Sequence, residues 1–100
     1  MAIVEVSVIP IGTDQPSVSS FITECYRVLE EETNLKHQLT PMSTIIEGNL
    51  DDIMDAVKKM HQVPFDEGAQ RVVTNITIDE RTDKSISMKS SVESVIDHIQ

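Results

Sequence analysis

Glu47 stands near the end of a loop-flanked segment, Pro41-Met42-Ser43-Thr44-Ile45-Ile46-Glu47-Gly48, three residues after the hydroxyl of Thr44. A carboxylate at a strand end beside a glycine can be partly buried and face a cationic or amine-bearing ligand, with the threonine hydroxyl next to it. The same residues read equally well as a turn glycine and a glutamate leaving its strand into solvent. A second loop-flanked segment, Val8-Ile9-Pro10-Ile11-Gly12-Thr13, ends the first apolar stretch of the chain. Glu47 is also the only plausible general base, and no partners surround it in the sequence. The expectation is therefore a binding protein and not an enzyme.

Other chemistry is thinly supplied. Cys25 falls on an apolar helical stripe, where a thiol behaves as a small hydrophobe. As the single cysteine it excludes an internal disulfide and any multi-cysteine zinc or iron–sulfur site. His37, His61 and His98 are scattered, and His98 suits the C-terminal end of a helix as a cation. There is no HExxH, CxxC or nucleophile elbow. With only Gly12, Gly48 and Gly68, there is no glycine-rich phosphate loop either. Asp51, Asp52 and Asp55 read as the dipole-complementing start of a helix and not as a metal cluster. Neither metal nor cofactor is expected.

The 100 residues make one domain, 1–100. Eight Lys+Arg against 17 Asp+Glu give a net charge of −9, which argues against a nucleic-acid backbone or an anionic membrane as partner. A cationic small molecule suits that charge, as does plain solubility. Phe21, Tyr26 and Phe65 are the whole aromatic set, so the core must come from Val, Ile, Leu and Met. None of the three lies on a predicted strand, which removes the base-stacking mode of RNA-binding domains. The first basic residue is Arg27, and no apolar run nears the roughly 18 residues of a membrane span. These features predict a soluble, cytoplasmic protein.

The elements that must position these residues follow from periodicity. Residues 3–9 alternate by two and form a strand, closed by Pro10 and Gly12. Asp14-Gln15-Pro16 reads as a helix start, and Val18, Phe21, Ile22, Cys25, Val28 and Leu29 form its apolar stripe. Lys36–Thr40 and Ser43–Glu47 are two short strands around Pro41-Met42. Asn49 caps a second helix carrying Leu50, Ile53, Met54, Val57 and Met60. That helix must kink or stop near Pro64, which cannot donate to the carbonyl of Met60. Arg71–Asp79 is a strand, and Met88, Val92, Val95, Ile96 and Ile99 mark a third helix.

The order β-α-β-β-α-β-α predicts an α+β fold of the ferredoxin-like, split βαβ kind. A four-stranded antiparallel sheet would carry two helices on one face. Val4, Val6 and Val8, with Val72, Ile76 and Ile78, are the candidates for the helix-facing core. The other face carries Ile3, Ile9 and Val73 among Glu5, Ser7, Asn75 and Thr77. That face is too apolar to stand bare in water and too polar for a core. It calls for another subunit, the C-terminal helix or a ligand, and Ser7 and Asn75 are candidate ligand contacts on it.

Taken together with Gly68-x-x-Arg71-Val72 and Ile78-Asp79-x-Arg81-x-Asp83-Lys84, the two loop-flanked segments resemble the small, single-repeat members of the YkoF-like thiamine-binding protein family. The resemblance runs from about Val4 to Val95 and includes His61 before the end of the second helix. Ser43, where glycine is usual, and Pro64 depart from the family pattern. The resemblance implies dimers or tetramers formed through sheet faces and edges. It also implies binding of thiamine or its hydroxymethylpyrimidine portion, as carrier or sensor, without catalysis. It assigns the ligand to Thr44 and Glu47 first, with Gly12, Thr13 and Met42 lining the pocket. A homo-oligomeric structural module with no ligand, and an enzyme using Glu47, are the competing readings.

Overall fold

The computed structural model describes residues 1–12, 19–40, 42–83 and 88–99, with the side chains of 19–21, 90 and 97–99 left aside. Its elements are β1 (Ala2–Ile11), α1 (Ser19–Glu30), β2 (Lys36–Leu39), β3 (Thr44–Gly48), α2 (Leu50–Asp66), β4 (Arg71–Glu80) and α3 (Met88–Ile99). The expected helix start at Asp14-Gln15-Pro16, the stripe residue Val18 and the site residue Thr13 lie outside the described residues.

The four strands form one antiparallel sheet in the order β2-β3-β1-β4. Cross-strand partners share a face, so Val4 lies with Ile46 and Ile78, and Val6 with Thr44 and Ile76. The two helices cover this face. Val4, Val6, Leu29, Ile46, Ile53 and Met60 are fully buried there, and among the described side chains this core holds no aromatic ring. The side chain of Asn49 accepts a hydrogen bond from the N–H of Asp51 (3.0 Å), as a helix N-cap does.

α2 runs two residues beyond Pro64 and ends at Asp66. Proline has no N–H for the carbonyl four residues back, which leaves the Met60 oxygen without its helical donor. The thiol of Cys25, on α1, donates to that oxygen at 3.4 Å. Nearby, His61 Nδ1 and Thr74 Oγ1 are 2.6 Å apart and join the last turns of α2 to β4.

One expectation needs correction. Ile76 and Ile78 point to the helix side, yet they are 39% and 47% exposed. β4 is an edge strand, and its second half runs out from under the two helices. The register is as the alternation implies, but the burial is not. α3 is similarly bare, with Val92, Val95 and Ile96 all exposed. The radius of gyration, 14.9 Å, exceeds the roughly 13 Å of a compact domain of this length.

Candidate functional site

β1 has ten residues and β3 five. From Ala2 to Val6 β1 is paired on both sides, whereas Ser7 to Ile11 pair with β4 alone. This mismatch leaves one side of β1 unpaired over five residues. Pro10, lacking an N–H, is tolerated there because the strand has one neighbour only. Gly12 follows with φ +74°, a left-handed turn that a side chain would strain.

The unpaired stretch borders a cavity of about 140 Å³. Val6, Ser7 and Val8 form one wall, and Ile22, Cys25 and Tyr26 of α1 a second. Thr40, Met42 and Ser43 of the β2–β3 connection and Thr44 of β3 also line it. Thr40 shapes that connection. Its Oγ1 accepts from the N–H of Met42 (3.3 Å) and of Ser43 (3.1 Å) and donates to the Ser43 carbonyl (2.8 Å). The Thr40 N–H donates to the same carbonyl at 2.8 Å. The aliphatic walls and several hydroxyls suit a flat ring with a polar edge. The Cys25 thiol is pushed up to about 11, first by burial and then by Glu67 and Glu24. It therefore stays protonated at neutral pH and is no nucleophile.

Thr44 and Glu47 do not meet. They are three positions apart on a strand of period two, so they point to opposite faces. Thr44 lines the cavity, while Glu47 lines a groove of about 570 Å³ on the open face with Lys36, Gln38 and four residues of α3. Glu47 is the buried charged side chain among the described residues. Its Oε2 accepts from the N–H of Met88, the first residue of α3, at 3.0 Å. A carboxylate at a helix N-terminus is stabilised by the unpaired N–H groups there, so Glu47 fastens α3 to the sheet.

The remaining expected residues divide in the same way. Ser7 and Met42 border the cavity, Met42 as an exposed rim residue. Gly12 is exposed at the end of β1. Asn75 pairs with Ser7 across β1 and β4 and is exposed on the open face. Sequence reasoning missed Thr40 and Tyr26 as wall residues, and it took Ser43 only as a small residue. The short Thr40-to-Ser43 spacing is the one signal that could have revealed the hydroxyl-organised turn. Among the described residues no cluster of His, Cys, Asp and Glu could hold a metal, and no helix is long and apolar enough to cross a membrane.

The family described as Thiamine-binding protein matches residues 4–96. The UPF0045 protein YqgV of Bacillus subtilis is 47% identical over 103 residues, covering 100% of this chain and 99% of its own. The crystal structure of hypothetical protein MJ1052 from Methanocaldococcus jannaschii superposes with a TM-score of 0.85 at 33% identity, covering 94% of each chain. A Thermotoga maritima protein whose name suggests a part in thiamine biosynthesis or salvage has the same fold, with a TM-score of 0.77 at 22% identity over 94% of this chain and 97% of that one. A family match over nearly every residue, and a shared fold end to end, make this chain a member of the thiamine-binding protein family.

Proposed function

We propose that the protein binds thiamine, or its hydroxymethylpyrimidine portion, without transforming it, and serves as a carrier or sensor. The cavity beside the unpaired stretch of β1 carries this reading. At about 140 Å³ it is well below the roughly 300 Å³ at which small-molecule sites begin. It therefore takes one ring, and the rest of a thiamine-sized ligand leaves past Met42 and the end of β1. Thr44 meets the polar edge of the ring, while Ser7, whose side chain points to the open face with Asn75, borders the ring through its main chain. The thiazolium charge sits in the field of a protein with net charge −9. The described cavity walls supply hydroxyls and a protonated thiol, groups that bind a ring by hydrogen bonding. Glu47 and Asn75, on the other face, serve α3 and subunit contact in this reading.

The experiment is thermal melting with thiamine, its phosphates and hydroxymethylpyrimidine. Ligand at a hundredfold over its dissociation constant stabilises by about 2.7 kcal/mol. For a domain this small that is a rise in Tm on the order of 10 °C. No rise with any of them at millimolar concentration overturns the reading.

A second reading, a homo-oligomeric structural or regulatory module without a ligand, is favoured by the exposed Ile76, Ile78, Val92, Val95 and Ile96. It predicts that Thr44→Val leaves every measurable property intact. Both readings share an assembly into dimers or tetramers.

A further inference from the structure

The main-chain groups of Ser43 are both used by Thr40, its N–H at 3.1 Å and its carbonyl at 2.8 Å. Its side chain is in a different position. Ser43 Oγ is buried and has no hydrogen-bond partner among the described residues, and Ser43 lines the cavity. The Cys25 thiol, which also lines the cavity, already donates its proton to the Met60 carbonyl. A buried hydroxyl left unpaired is costly, and a ligand that pairs with it relieves that cost only if it carries a donor or acceptor at the right edge.

We propose that Ser43 is a specificity-determining residue, whose hydroxyl selects heteroaromatic rings with a ring nitrogen or exocyclic amine over carbocycles of the same size. This rests on reading the cavity as a ring site. The hydroxyl both donates and accepts, so it pairs with either kind of polar edge but gains nothing from a C–H edge. The Ser43 hydroxyl then adds to that of Thr44 a polar contact left unpaired among the described residues, at a position fixed by the Thr40 turn. The role also separates function from folding: removing an unpartnered hydroxyl takes no hydrogen bond from the fold.

The test uses two one-ring probes, 4-amino-5-hydroxymethyl-2-methylpyrimidine and toluene, titrated into the wild type and Ser43→Ala. Binding is followed by the amide shifts of Val6, Val8 and Thr44. No described residue other than glycine has a positive φ, so alanine fits the backbone, and Ser43→Gly is a second small variant. Expected are a wild type that prefers the pyrimidine and an alanine variant whose pyrimidine affinity falls about tenfold, the worth of one neutral hydrogen bond in a desolvated site. Toluene affinity should be unchanged or tighter, and the unliganded Tm unchanged or higher. Pyrimidine affinity within twofold of wild type in both variants overturns the assignment while leaving the ring site standing. A fall of several degrees in unliganded Tm also overturns it, because the hydroxyl would then have a partner within the fold. A wild type that binds neither probe at these amides removes the ring site and the assignment together.

Discussion

Replacing Cys25 by valine fills the same space but leaves the Met60 carbonyl with neither its helical donor nor the thiol. We expect Cys25→Val to lower stability by about 1–3 kcal/mol, the cost of an unsatisfied buried acceptor, and Cys25→Ser to lose less. Chemical denaturation of the two variants checks this. The thiol also sets a pH dependence. Its folded value is raised from 9.0 to about 11, so its contribution is complete below pH 9 and lost as pH rises towards 11. Wild-type stability should fall across that window relative to Cys25→Ser, measured by denaturant melts at successive pH values. The sequence already showed Cys25 on an apolar stripe and Pro64 as a break in the second helix. That the one answers the other was not legible, because Cys25 and the Met60 carbonyl are 35 residues apart and meet only when α1 packs on α2.

At the scale of elements, the strands and helices emerge from alternation and 3.6-residue stripes to within a residue or two at the ends where both are described. The site was less legible. Thr44 and Glu47 look like one constellation because they share a short segment, yet the two-residue period of that strand sends them to opposite faces. The cavity comes from a difference in strand length between β1 and β3, which no local pattern records. Glu47→Leu removes the acceptor at the start of α3, and the expected result is faster amide hydrogen exchange along Met88–Ile99 with the β1 and β3 amides unchanged. Gly48 is a site of close approach: a Cβ there would lie 2.5 Å from Leu35 Cδ2. Gly48→Ala should therefore cost about 1–3 kcal/mol by overpacking, read from its unfolding midpoint.

At the scale of the whole molecule, the architecture followed from the order of elements, while the coverage of the sheet did not. Burial at an edge strand depends on how far the helices reach, so Ile76 and Ile78 share the face of Val4 and Val6 and remain exposed. Ile76 and Ile78 on the helix side, and Val92, Val95 and Ile96 of α3, are exposed apolar residues that the proposed assembly would shelter. Light scattering should give a dimer or tetramer in the absence of any ligand, and Ile78→Glu should shift it towards monomer. The ring site can be tested more directly. A crystal structure of the protein grown with hydroxymethylpyrimidine should show the ring between Val8, Tyr26 and Thr44, beside the unpaired side of β1. A ring found instead against Glu47 and Lys36, or a cavity left as it is at saturating ligand, would contradict the account.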